Sequence, residues 1–294
     1  MMSKLKIKIF VDGTSKEQQT QGVTEMLRTR GKIDNHLEEL ERNGYTILKN
    51  VFAKSDCNMA KEKIDKIYKK QIQEFRSEKN LELINEQNIV RSLFVYDNFF
   101  LKFLGPKIQN DLLKKIFRQK FILNLQNSPV MQPKSKPYSA AWHRDLGYQH
   151  FVASRPIAIS SIVSLDNSTK KNGASYFLPH SHRFETFPSK EYVKSHEKQV
   201  PINAGDILVF NSLIYHRSGI NRTNQKRKIV VNMFTLPFIK QQINYVKFLN
   251  GKFLNNKKYS YLLGYNSDVQ DGVVQWRQRR ADRFKKSKVK LWKY

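Results

Sequence analysis

Two histidines and one aspartate have the types and spacing to hold a metal ion. His143 and Asp145 sit two apart in Trp142-His143-Arg144-Asp145, and His216 lies far along the chain. Residues two apart on a strand project to the same side, so His143 and Asp145 can reach one ion, and a third ligand can come from a strand folded alongside. Two imidazoles and a carboxylate on one face leave three positions open, the ligand set of a ferrous ion used for dioxygen chemistry. Arg227 follows His216 by eleven residues and would begin the next strand, so in an antiparallel barrel the two can lie side by side. A guanidinium at that depth needs an anion. A dicarboxylic co-substrate chelating the metal at one end would present its other carboxylate there for a bidentate pair.

Each piece is weak alone. With seven His and 25 acidic residues in 294 positions, one His-x-Asp/Glu triplet is about an even chance, and a second copy does occur, His36-Leu37-Glu38. That copy falls in an amphipathic helical pattern, where an i, i+2 pair points to different sides. His180-x-His182 could join His196 or His150 on zinc, but in a chain whose only cysteine is Cys57 a turn-and-surface role is the better reading. The weight of His143 and Asp145 therefore rests on the elements that position them.

The first third reads as helical. Ile33, Leu37 and Leu40 mark a short amphipathic helix stopped by Asn43-Gly44, and Tyr45 to Lys49 reads as a strand. A long helix is expected from Ser55 to about Glu78, and two more over Leu93 to Leu104 and Leu112 to Phe117. Residues 5–11 alternate like an edge strand. From Lys120 the pattern becomes that of strands: 121–126, 157–165, 174–178, 206–210 and 228–235, separated by Gly, Asn and Pro turns. Many short strands with such turns indicate an antiparallel barrel or sandwich. Residues 184–200 are long for a connection and read as a lid or surface excursion, and a helix is expected after Pro237 through Phe248.

Composition narrows the class. The 53 Lys and Arg against 25 Asp and Glu give a net charge of +28, a field that attracts anions of any kind. A small-molecule substrate, anionic by this charge, is the favoured partner; nucleic acid or an acidic membrane surface are further partners the basic surface could take. The lone cysteine and the lack of a signal-like N-terminus lead to the expectation of a cytoplasmic protein. No run of about eighteen apolar residues is present to span a membrane.

The motifs taken together resemble the phytanoyl-CoA dioxygenase family of iron(II)/2-oxoglutarate oxygenases, from roughly Gly44 to Thr235. The resemblance is carried by Gly44-Tyr45-Thr46-Ile47-Leu48, His143-Arg144-Asp145, Leu165-Asp166 followed by Asn172-Gly173-Ala174, and Leu178-Pro179-His180-Ser181-His182-Arg183. Gly205-Asp206 and His216-Arg217-Ser218-Gly219-x-Asn221 with Arg227 complete it. One departure is His180, where the family usually has Gly.

The resemblance implies a mainly β fold with helical additions, a double-stranded β-helix (jelly-roll, cupin-like) packed by N-terminal helices. It implies iron bound by His143, Asp145 and His216, and 2-oxoglutarate anchored by Arg227 and Ser218, with Asn124 or Gln126 adding a hydrogen bond. Dioxygen would be consumed, succinate and carbon dioxide released, and substrate hydroxylated. Tyr138, Trp142, Tyr148, Phe151 and Tyr215 flank the ligands and are candidate walls of a substrate pocket, and Arg91, in a mostly apolar context, is a candidate anion contact. Arg144, between two ligands, should point away from the iron.

The domain reading is an N-terminal extension (1–43), a dioxygenase domain (44–250, β core about 120–236) and a basic C-terminal segment (251–294). Nucleic-acid-dealkylating oxygenases share the triad, but their Arg-x-Asn-x-x-x-x-x-Arg pattern does not follow His216. A non-catalytic barrel whose basic tail binds a polyanion is the remaining alternative.

Overall fold

The computed structural model describes residues 31–146 and 151–286; the strand expected at 5–11 lies outside them. Helix α1 (Lys32–Asn43), strand β1 (Tyr45–Leu48), helices α2 (Lys54–Glu74) and α3 (Glu78–Leu83), strand β2 (Ile89–Arg91) and helices α4 (Leu93–Tyr96) and α5 (Lys107–Phe117) come first. Strands β3 (Ile122–Met131), β4 (Ala158–Ser164) and β5 (Tyr176–Phe177), helix α6 (Lys190–His196), then β6 (Lys198–Gln199), β7 (Ile207–Asn211), β8 (His216–Arg217) and β9 (Arg227–Thr235) follow. Three helices end the described chain: α7 (Tyr245–Leu249), α8 (Tyr259–Leu262) and α9 (Val273–Lys286). None of the described helices is long and apolar enough to cross a membrane.

Two expected helices are shorter than their patterns. The one expected over 93–104 is α4 plus a 3-10 turn, Asn98–Leu104, because Asp97 is extended and its carboxylate accepts from the Phe99 N–H at 2.9 Å, a local bond that competes with helix continuation. The one expected after Pro237 is only α7. Its approach is tied to β3 from both sides: Asn124 of the strand donates to the Lys240 carbonyl at 2.8 Å, and Gln241 of the approach donates to the Leu123 carbonyl at 2.7 Å. The long segment 184–200 contains α6 and β6.

The strands form a six-stranded sheet in the order β1-β7-β4-β9-β3-β2 and a three-stranded sheet β6-β5-β8, with antiparallel pairing throughout. The small sheet covers one face of the large one and helices cover the other, giving a double-stranded β-helix with helical packing. Strand period two sorts the side chains. Ile207 and Val209 of β7, Ile159 and Val163 of β4, and Val230 and Phe234 of β9 enter the core shared with α1, α2, α4 and α5. Leu208 and Phe210, Ile162, and Ile229 with Val231 alternate with them into the space between the sheets, where Phe177 of β5 meets them. A slip of one residue would exchange the two sets. Register therefore decides which polar residues can share the interior with the ligands.

Candidate active site

His143 joins the small sheet as an isolated bridge beside β8. Its N–H donates to the His216 carbonyl and the His216 N–H donates back, each at 3.0 Å. A directly opposed antiparallel pair projects to one face, so the two imidazoles lie together, ring centres 4.4 Å apart. Two residues on, the Asp145 N–H donates to the Ser212 carbonyl at 3.0 Å, keeping its side chain on the same side. The carboxylate oxygen Oδ1 lies 3.3 Å from His216 Nε2 and 3.9 Å from His143 Nε2. One donor atom from each of the three residues fits within 4.8 Å of the others.

Supporting contacts orient all three. His143 Nδ1 lies 2.8 Å from the Ala141 carbonyl and His216 Nδ1 lies 3.0 Å from that of Ile214. A carbonyl only accepts, so each Nδ1 carries the hydrogen and each neutral ring leaves its Nε2 lone pair for a metal. The other oxygen of Asp145, Oδ2, accepts from the Ser160 hydroxyl, which lies 2.8 Å from the Ser212 hydroxyl. Ser160 and Ser212 were not among the sequence candidates. Their one signal is small hydroxyl residues at the centre of a wholly buried strand and at the exit of another.

His216 is buried against Phe210 and Phe177, with ring centres 4.8 and 5.7 Å away, whereas His143 and Asp145 are partly exposed. Burial pushes the His143 imidazole below its usual range, reinforced by the charge of His216. At Asp145 burial acts to raise the carboxyl, but His216, His143 and the Ser160 hydroxyl outweigh it and hold it below the usual range. At His216 burial acts downward and the Asp145 carboxylate overrides it upward. The set is thus an anionic carboxylate with two imidazoles converging on one point, and a cation bound there takes the place of a shared proton.

Arg227 opens β9 on the same face as Ile229 and Val231, hence toward the interior. It is buried, and it donates to the carbonyls of Asn172 (3.1 Å) and Gly173 (2.9 Å) and to the Ser168 hydroxyl (3.0 Å). These hydrogen-bond partners are neutral, and burial pulls the guanidinium down to about 10, with the Asp166 carboxylate acting the other way. The turn supplying the carbonyls is pressed onto the one that follows His216. Gly173 has φ +90°, and a Cβ there would fall 2.9 Å from the Gly219 carbonyl oxygen, so only glycine lets the two backbones approach. In that second turn the Ser218 hydroxyl lies 2.8 Å from the Ser139 hydroxyl, and the Ser218 N–H donates to the Ser139 carbonyl.

The remaining sequence candidates are placed elsewhere, mostly for reasons of register. Gln126 pairs across the sheet with Asn232 and takes the helix side. Its amide accepts from the Phe94 N–H at 3.0 Å and donates to the Phe100 carbonyl and to Asn232, each at 3.1 Å. Asn124, at the β3 irregularity, holds the 240–242 segment. Neither amide is left to meet a co-substrate, which corrects that expectation. Trp142 and Tyr215 alternate with the two ligand histidines and so face outward, where they pack together with Leu178 and Val193. Tyr138 and Phe151 are exposed, and Tyr148 lies outside the described residues. Arg91 has an internal anion, Glu86, which it grips through two nitrogens. Arg144 points away from the ligands as expected: its guanidinium donates to the carbonyls of Phe151, Ser181 and Phe184 and stands 4.0 Å over the Tyr215 ring.

A double-stranded β-helix with two imidazoles and a carboxylate on its inner face is the architecture of iron- and 2-oxoglutarate-dependent enzymes, whose cofactors are iron and 2-oxoglutarate. The chain belongs to the phytanoyl-CoA dioxygenase (PhyH) family, whose pattern matches residues 40–229. It is 24% identical over 253 residues to Uncharacterized protein Rv1501 of Mycobacterium tuberculosis, covering 84% of this chain and 92% of that protein. Dioxygenase af480 of Aspergillus fumigatus is 27% identical over 142 residues, 46% of this chain and 44% of that one. Among solved structures, HygX from Streptomyces hygroscopicus with nickel and 2-oxoglutarate bound superposes with a TM-score of 0.54 at 13% identity, covering 70% of this chain and 88% of that one. The epimerase SnoN, in complex with Fe3+, alpha ketoglutarate and nogalamycin RO, gives 0.52 at 16% identity, covering 69% and 83%. At such identities these likenesses speak to the fold.

Proposed function

We propose that the protein is a dioxygenase that hydroxylates a small anionic metabolite while converting 2-oxoglutarate to succinate and carbon dioxide. The observation that supports it best is the pairing of a three-donor face with a second, separate cation on the same interior side. His143, Asp145 and His216 leave half of an octahedron free. Arg227, buried with only neutral partners among the described residues, is short of an anion.

In this reading the three donors hold iron, which when bound supplies the redox chemistry coupling dioxygen to both 2-oxoglutarate and substrate. The protein's own groups do the positioning. Arg227 takes the far carboxylate of 2-oxoglutarate, with the Ser218 hydroxyl beside it. Ser160 keeps one Asp145 oxygen occupied so that the other faces the metal. Phe177 and Phe210 pack against His216, in one apolar cluster with Ile162 and Ile229, which would limit competing water beside the ligand. The net charge of +28 favours an anionic substrate by raising its local concentration.

Anaerobic addition of Fe(II) and 2-oxoglutarate to the purified chain should give a weak visible charge-transfer band that is absent in His143→Ala. Succinate release should then rise with one class of small anionic compound in a substrate screen. A product heavier by one oxygen atom identifies hydroxylation; a product of unchanged mass and inverted configuration replaces it with epimerisation. Absence of the band in reduced, folded protein rejects the reading.

A further inference from the structure

The C-terminal helix presents a surface that the active site does not use. Across α9 and the loop before it, Val269, Val273, Val274, Trp276 and Phe284 are exposed, the three valines by 64% or more and Trp276 by 54%. On a helical wheel Val273, Trp276, Arg280 and Phe284 fall on one stripe. Arg280 is the centre of it, its guanidinium 5.6 Å from the Trp276 ring centre and 5.3 Å from that of Phe284. The helix is tied to the body from another side, where Arg279 donates to the carbonyls of Asp268 (2.9 Å) and Tyr265 (3.0 Å). Between the helix and residues 266–270 runs a cleft of about 340 Å3 lined by Val269, Trp276 and Arg280.

The charge of α9 and of the sequence that follows it says what covers this surface. Nine of the eighteen residues from 277 to 294 are Lys or Arg, and Asp282 is the one acid among them, itself engaged by Gln278 at 3.1 Å. We infer that α9 lies flat on a bilayer carrying anionic headgroups, with Val273, Trp276 and Phe284 entering the interface and Arg277 and Arg280 meeting phosphates. A helix that carries aromatic and aliphatic groups on one face, with Arg280 between the two rings and Arg277 beside them, binds by apolar insertion and charge attraction together. A nucleic acid would ask for bases and stacking rings, and exposed valines would add nothing to it. No described helix can cross the membrane, so the attachment is peripheral and reversible by salt.

The test is co-sedimentation of the full chain with vesicles of phosphatidylcholine alone or with one-third phosphatidylglycerol, at low and high salt. The protein should pellet with the anionic vesicles at low salt, at least tenfold more than with the neutral ones, and be released by high salt. Trp276→Ser/Phe284→Ser, which keeps every charge, should weaken binding about tenfold, and Arg277→Gln/Arg280→Gln should weaken it about fivefold per charge removed. Both variants should keep the iron and 2-oxoglutarate band, which shows that they fold and separates this inference from the proposed activity. Failure to pellet at low salt overturns the inference. So does pelleting indifferent to the serine substitutions, which marks generic attraction to polyanions, or single-stranded RNA displacing the vesicles.

Discussion

Arg144 and Arg227 are the two guanidinium groups buried most completely among the described residues, and both donate to neutral oxygens. Arg144 sits between two ligand residues in sequence and faces outward, donating to three carbonyls and stacking on Tyr215. Arg227 sits eleven residues past the last ligand and faces inward, sharing its side of β9 with Ile229 and Val231. A buried charge by itself therefore does not mark a binding site; the side of the sheet it occupies is what separates these two arginines. Outside the small sheet the charge of Arg144 clamps the chain onto the barrel, whereas on the inner side of the large sheet Arg227 is the group proposed above to meet a ligand. The histidines divide in the same way: His143 and His216 face inward with their Nε2 atoms turned toward Asp145, while His182 is buried outside, beside Gly44.

The comparison breaks first at the arginines. Arg227→Met should raise the KM for 2-oxoglutarate about a hundredfold, the scale for losing a desolvated charge pair, with Arg227→Lys recovering part of it. Arg144→Met should leave that KM within about twofold in the protein that folds, and instead cost roughly 3 kcal/mol of stability by stranding three carbonyls and removing the cation over Tyr215. Steady-state kinetics with denaturant melts on both variants decides it. If Arg144→Met impaired co-substrate binding as strongly, the division between faces would fail. The next effect is at Ser160, which touches Asp145 from the oxygen turned away from the other ligands. Ser160→Ala should weaken iron binding about tenfold to a hundredfold, read by titration of the charge-transfer band, with little change in KM for 2-oxoglutarate at saturating iron.

The grouping of the triad and the positions of the longer strands were legible because they rest on period two and on turn residues, both written locally. His143 and Asp145 two apart imply a shared face, and the turns around Gly173 and Gly205 divide the strands as expected. What was not legible depends on register across strands far apart in sequence. Nothing near Gln126 shows that it opposes Asn232 rather than Val231, yet that one step sends it to the helices instead of the cavity. The same parity places Trp142 and Tyr215 outside the cavity, since each neighbours an inward-facing histidine. Ser160 and Ser212 are invisible for another reason: they acquire a role only where β4 and the end of β7 meet beneath Asp145. Arg91 misled because its anion, Glu86, lies outside the short apolar window that made it conspicuous.

The smallest expected effect sharpens the division between the imidazoles. Burial, with Arg183 adding to it, pulls His182 down to about 4, and its Nδ1 has no hydrogen-bond partner among the described residues. The folded state thus keeps this ring neutral at pH values where the unfolded chain, with its ordinary pKa near 6.5, binds a proton. Because the unfolded state binds more protons in that window, stability is full above pH 6.5 and falls as the pH drops toward 4, by up to about 3 kcal/mol, levelling off below. His182→Gln removes the titrating group while leaving an amide that can donate, so the difference in stability between it and the parent chain should shrink or reverse from pH 7 to pH 4. Iron-free protein should be used for both melts, since acid also protonates His143 and His216 and would release a metal ion. Parallel melting curves for the two chains across this range would show that the outer histidine is as free to take a proton as one in solvent, and the contrast between inner and outer imidazoles would then rest on the ligand geometry alone.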